Sequence, residues 1–362
     1  MTHSSCVRSV LALAGIALLI PLTGCERPSA DTLQTGFRGT AMVQLETASN
    51  TAEKLAANQL PPPTAALPPS GTKASAMYQN VQILGDLDSN EFTQLMLAMT
   101  SWVAPKEGCA YCHDAANLAD DSKYTKVVAR RMIQMTQSIN ADWSAHVKET
   151  GVTCFTCHRG QPVPANIWYS NDGYTPRVAY AGYRAGQNVA ADSVALASLP
   201  EDPFSPMLRD SGQIRVSSNH PLPAIGKPTP DIKQTENTYG LMMHVSDALG
   251  VNCNYCHNSR LFSNWQESTP QRVQAWHGIQ MARTLNNEYL EPLKSTLPAE
   301  RLGPVMADAP KANCTTCHQG AAKPLLGVSM AKDYPSLRSH GTTTAAAPAV
   351  DTTPAPPATP AP

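Results

Sequence analysis

The 362 residues give room for two domains of ordinary size. A formal net charge of −1 excludes the global basic field that nucleic-acid binding proteins direct at phosphate. Apolar residues make up 42% of the chain but aromatic residues only 6%, a lean supply of large side chains for a core of this size.

The N-terminus reads as an export signal. Arg8 supplies a positive charge, and Val10 to Ile20 is continuously apolar yet short for a membrane span. Leu22-Thr23-Gly24-Cys25 resembles a bacterial lipobox. It predicts a lipoprotein signal peptide over 1–24, cleavage before Cys25 and a diacylglycerol on the Cys25 sulfur, since two acyl chains anchor stably where one does not. Residues 25–76 are rich in Ala, Thr and Pro, including Pro61-Pro62-Pro63 and Pro68-Pro69, and read as a lipid-anchored tether or arm.

A first half is expected over 77–165. Asn90 can cap a helix in which Phe92, Leu95, Met96, Met99, Trp102 and Val103 share a face. Pro105 and Gly108 end it, and Cys109-Ala-Tyr-Cys112-His113 follows. A second helix is expected from about Ser122 to Asn140, with Val128, Met132, Met135 and Ile139 on one face. Beyond it lie His146, Gly151 and Cys154-Phe-Thr-Cys157-His158.

Residues 166–230 show little periodicity and read as a connecting segment. The pattern then recurs over 231–335. Thr238, Leu241, Met242, Val245 and Leu249 form a helical stripe that Gly250 closes, before Cys253-Asn-Tyr-Cys256-His257. Met243 is turned about 100° from Met242, and His244 lies off the stripe. Thr269-Pro270 opens another helix, an N-cap followed by Pro at the first helical position. Cys314-Thr-Thr-Cys317-His318 closes the half, and 336–362 reads as a disordered Ala/Thr/Pro tail.

Each Cys-x-x-Cys-His motif is the attachment signature of c-type haem. Two cysteines two residues apart form thioethers to the porphyrin vinyl groups, and the adjacent histidine ligates the iron. The competing use of Cys-x-x-Cys pairs, in zinc binding or thiol redox chemistry, does not require a histidine after every second cysteine. Eight of the ten cysteines lie in Cys109/Cys112, Cys154/Cys157, Cys253/Cys256 and Cys314/Cys317. Cys6 and Cys25 lie in the N-terminal segment, so no cysteine remains for a disulfide. Four covalently bound haem c groups would supply the apolar mass that aromatic residues do not.

The distal side of each iron needs a second ligand. Met96 or Met99, Met132 or Met135, and Met242 stand on helices that a porphyrin face must meet, and His146 stands outside every motif. The helix Gly278-Ile-Gln-Met281-Ala-Arg-Thr-Leu-Asn286 matches Met132-Ile-Gln-Met135-Thr-Gln-Ser-Ile-Asn140, which makes the chain an internal duplication. The match breaks where Met132 faces Gly278, which has no side chain to give. His146 can replace the missing ligand of the fourth haem, with Met281 as the rival.

The lipobox, the paired motifs and the Met-bearing helices resemble the tetrahaem cytochrome c subunit of the purple-bacterial photosynthetic reaction centre over about residues 77 to 335. The resemblance implies a mainly α multihaem c-type cytochrome, an internal pseudo-twofold repeat of helix–turn–CxxCH units joined by long irregular segments. It implies axial pairs His113/Met96, His158/Met132, His257/Met242 and His318/His146. It implies that Arg272 stands beside the third haem, where a fixed cation raises the potential. The function implied is re-reduction of the photo-oxidised bacteriochlorophyll special pair. The subunit would sit on the periplasmic face against the reaction-centre L and M subunits. A soluble cytochrome c or high-potential iron–sulfur protein would supply the electrons.

A multihaem reductase needs an iron with an open sixth position, and each motif here has a candidate sixth ligand. A lipid-anchored conduit for another membrane oxidoreductase is the remaining alternative, separated by copurification with bacteriochlorophyll.

Overall fold

The computed structural model describes residues 30–34, 43–171, 191–216 and 232–340. The expected signal peptide, Cys25 and the segment from 341 onward lie outside them. The described chain is mainly helical. Its only sheets are two antiparallel pairs: β1 (Ala30–Gln34) with β2 (Val43–Thr47), and β3 (Ile167–Trp168) with β4 (Lys311–Ala312).

The expected tether is in part folded onto the body. Residues Ala48–Ala57 form α1, started by Thr47, whose hydroxyl accepts the Asn50 N–H. Asn58 follows and is only 3% exposed. Its Nδ2 donates to the carbonyl of Gln319, and its Oδ1 accepts the N–H of Leu325 and a guanidinium N–H of Arg159. Isolated polar contacts such as this buried amide, rather than an apolar stripe, hold the stretch to the body, and composition does not report them. A four-residue helix, α2 (Ala74–Met77), comes next.

The helix expected after Asn90 is α3, Ser89–Val103. Its cap is Asp88, whose carboxylate accepts the N–H of Asn90, Ser70 and Gly71. The Asn90 side chain instead donates to the carbonyl of Pro68. Leu95, Ala98 and Trp102, three and four residues apart, are buried on one face. The second helix, α4, runs Tyr124–Asp142, and a short turn, α5 (Ser144–Val147), carries His146. The second motif is α6, Cys154–His158. In the later half α7 is Ile232–Leu249, α8 is Pro270–Thr284 and α9, the fourth motif, is Cys314–His318.

Three apolar clusters hold these helices together. The first joins Leu95, Trp102, Ile133 and Phe155 to Leu325 and Leu337. The second joins Trp168, Phe204, Met207 and Leu208 to Leu241 and Ile279. The third joins Ile139 and Val152 to Leu285 and Tyr289, where the two halves meet.

These clusters redraw the expected boundaries. The described parts of the connecting segment supply Trp168, Phe204, Met207 and Leu208 to the core of the later half. The C-terminal segment crosses back to the earlier half, where Leu337 is fully buried and Ser336 and Leu337 accept hydrogen bonds from Gln137 and Asn140. The tail expected from 336 onward is therefore packed at its beginning.

Candidate haem-attachment sites

The four motifs fall into two structural pairs. The first and third lie in 3₁₀ turns, Gly108–Tyr111 and Cys253–Tyr255. Each turn is tied to the helix that follows it. Thr125 donates to the carbonyl of Tyr111 at 2.6 Å, and Thr269 donates to that of Tyr255 at 2.7 Å. The second and fourth motifs are single α-helical turns with capping boxes. Each leaves through a left-handed residue and a glycine, Arg159-Gly160 and Gln319-Gly320. The Gly160 N–H donates to Trp102 on α3, and the Gly320 N–H donates to Ala248 on α7, both at 2.8 Å.

Two asparagines hold the entry to these helical motifs. Asn140 donates to the carbonyl of Val152 at 2.9 Å and accepts its N–H at 2.7 Å. Asn286 donates to the carbonyl of Ala312 at 3.0 Å and accepts its N–H at 2.8 Å. Val152 and Ala312 both stand two residues before the first cysteine. The sequence alignment of the halves placed Asn140 opposite Asn286, and that was the available signal for the pair.

The motif histidines share one feature that decides their chemistry. His113 Nδ1 bonds the carbonyl of Leu118 at 2.9 Å, and His257 Nδ1 bonds that of Phe262 at 3.0 Å, each five residues on. His158 Nδ1 bonds the carbonyl of Gln161, and His318 Nδ1 bonds that of Ala321, both at 2.9 Å and three residues on. A carbonyl only accepts, so Nδ1 carries the proton and Nε2 carries the free lone pair. Burial pushes the pKa of His158 down and that of His318 down to about 4. Burial lowers His257 as well, helped by the Arg272 charge. Neutral rings with a fixed tautomer are ready metal ligands.

His146 is held in the same manner. Its Nδ1 bonds the carbonyl of Gln274 on α8 at 2.9 Å, while Gln274 Nε2 donates back to the carbonyl of His146. Burial also lowers its pKa. The ring lies 6.0 Å from that of His318, at 68°. Gly278 makes room for it, since a Cβ there would stand 2.5 Å from the His146 ring.

The methionines divide. Met135 and Met281 pack into the third apolar cluster with Ile139 and Leu285. Met132 is half-buried and is in none of the three clusters described. Met96 and Met99 both pack at the edge of the first cluster, and Met242 packs at the edge of the second.

Arg272 lies near the third motif. It is half-buried, stacked 4.2 Å over Trp265, and it donates to the carbonyl of Asn264 and to Ser268. Its charge acts on both Cys256 and His257. His244, expected to lie off the stripe, is buried at 3% exposure, its ring edge-on to Phe204. The Sγ atoms of Cys157 and Cys317 meet at 2.7 Å where the halves join.

The residues fit haem c. Four thiol pairs stand on short turns, each followed by an imidazole with Nε2 free. Among the described residues no group of three or more His, Cys, Asp or Glu side chains converges as a metal-ion site. That geometry does not suit a zinc ribbon.

Comparison with known families agrees. The model of the photosynthetic reaction centre cytochrome c subunit matches residues 26–338. The chain belongs to this family. It is 52% identical over 330 residues to the photosynthetic reaction center cytochrome c subunit of Rubrivivax gelatinosus, covering 91% of this chain and 89% of that one. Identity to the subunit of Thermochromatium tepidum is 46% over 351 residues, covering 96% and 85%. Identity to that of Roseobacter denitrificans is 41% over 348 residues, covering 90% of each. The chain is therefore an electron-carrying, haem-binding cytochrome of the photosynthetic reaction centre and of its membrane. Among the described residues no helix is long and apolar enough to cross a membrane.

Proposed function

We propose that this cytochrome carries four covalently bound haem c groups and re-reduces the photo-oxidised bacteriochlorophyll special pair. The observation that carries the reading is the shared pose of His113, His158, His257 and His318, each held through Nδ1 by a main-chain carbonyl. The thioether cysteines are Cys109 and Cys112, Cys154 and Cys157, Cys253 and Cys256, and Cys314 and Cys317. The distal ligands are Met96, Met132, Met242 and His146. Support for His146 comes from the cavity at Gly278 and its nearness to His318. Met132 is chosen over Met135, and His146 over Met281, because the family resemblance implies them; Met132 is also in none of the three apolar clusters.

When bound, the haem irons supply one-electron exchange between ferrous and ferric states. The chain's residues set how readily each gives its electron up. Methionine sulfur stabilises ferrous iron more than imidazole does, so three sites are high-potential and the bis-histidine site is lower. Arg272 adds a fixed positive charge beside the third motif and raises that potential further. The two halves act as a duplicated dihaem unit, and the paired Thr125/Thr269 and Asn140/Asn286 contacts support that reading.

The subunit sits on the periplasmic face against the L and M subunits, is anchored through lipidated Cys25, and receives electrons from a soluble cytochrome c or high-potential iron–sulfur protein. Flash-induced absorbance in native membranes at controlled redox potential tests this. Haem oxidation should follow special-pair bleaching. Haems that stay reduced after the flash overturn the reading.

A further inference from the structure

The duplicated halves differ at the residue that follows their last histidine, Arg159 in one and Gln319 in the other. Both residues are left-handed, with φ of 51° and 46°, so the chain leaves the two motifs alike and only the side chains differ. Each side chain reaches back three residues in the same way. Arg159 Nε donates to the carbonyl of Thr156 at 3.0 Å, and Gln319 Nε2 donates to that of Thr316 at 3.5 Å.

Arg159 then reaches further. Its Nη1 donates to the carbonyl of Ala57 at 3.0 Å, and its Nη2 donates to Asn58 Oδ1 at 3.3 Å and to the carbonyl of Cys317 at 3.2 Å. One half-buried guanidinium thus bridges the second motif, the fourth motif and the N-terminal arm. It sits where Cys157 and Cys317 meet at 2.7 Å. All four acceptors are neutral. The groups that act on its charge are the thiols of Cys157 and Cys317, which carry no charge once they are thioethers.

We propose that Arg159 is a shared potential-setting cation that raises the reduction potentials of both haems carried by the second and fourth motifs. This rests on the four-haem reading above. Oxidation adds one positive charge to an iron centre. A fixed cation nearby opposes that charge and favours the ferrous state, and it does so more strongly where solvent is partly excluded. The asymmetry of the repeat fits such a role: a single charge at the junction of the halves serves two sites, and a neutral glutamine suffices at the equivalent place.

The test is a spectrally resolved redox titration of the haem-loaded protein in wild type, Arg159→Gln and Arg159→Lys. Glutamine already occupies the equivalent turn at 319, so the first variant keeps the backbone and removes the charge. Arg159→Gln should lower two potentials, one of them that of the bis-histidine haem identified by His146→Met, and leave the other two in place. Arg159→Lys should stay near wild type. Four unchanged potentials, or a lysine variant shifted as far as the glutamine one, overturn the proposal. Haem content per chain is measured on the same samples. A count below four in wild type marks failure of the four-haem reading and is distinct from failure of this one.

Discussion

Gly278 on α8 faces His146 so closely that a Cβ at position 278 would lie 2.5 Å from the imidazole Cε1. The absence of one side chain and the seat of another are a single fact. In the alignment of the two stretches this position lies opposite Met132. The missing side chain leaves the space that His146 enters.

Gly278→Met gives this position the residue of the other stretch and should expel His146. One bis-histidine signal in the electron paramagnetic resonance spectrum should disappear, and the potential of that haem should rise if the new sulfur ligates. Retention of the bis-histidine signal would show that the gap at 278 is not what admits the ligand.

Met96→His and Met242→His should each lower the potential of one haem, and of different haems. The change exchanges thioether sulfur for imidazole, which favours the ferric state. A redox titration in which both variants shift the same component would sink the separate assignment of the first and third sites.

Asn286→Leu removes both partners that Asn286 gives to Ala312, at a position that is 0% exposed. A buried polar group left unpaired costs about 1–3 kcal/mol, so the variant should lose stability of that order in a denaturant titration. Asn140→Leu should behave alike at Val152, and haem occupancy should fall at the fourth and second motifs respectively.

Asp88 predicts an acid dependence. The N–H donors of Ser70, with help from Asn90 and Gly71, hold its carboxyl down to about 2. An unfolded aspartate titrates near ~3.9. The folded pKa is the lower one, so the charged cap contributes fully above pH ~4 and is lost as pH falls toward 2. The stability gap between wild type and Asp88→Asn should therefore close over that window. A gap that stays constant from pH 5 to pH 2 would show that the charge is not linked to folding.

Much was legible from residues alone. The four motifs, the Met-bearing helices and the mismatch between Met132 and Gly278 are local patterns, because thioether spacing and helical periodicity are written in consecutive residues. The Nδ1 partners are also near in sequence, three or five residues after each histidine. Sequence left Met96 and Met99 unresolved, and their packing beside the first cluster leaves both near the same core.

Only the tertiary structure decided the contacts between distant segments. Periodicity reports which face of a helix is apolar but not what covers it, so Trp168 and Phe204 read as connecting residues until they packed against Leu241 and Ile279. A lone polar residue gives no periodic signal at all. Asn58 and Arg159 were invisible for that reason, although they tie the arm and the two halves together at the junction of Cys157 and Cys317. His146 was named from sequence as a spare imidazole. Its place beside His318 follows from Gln274, which gives and receives a hydrogen bond across the halves, and from the space that Gly278 leaves.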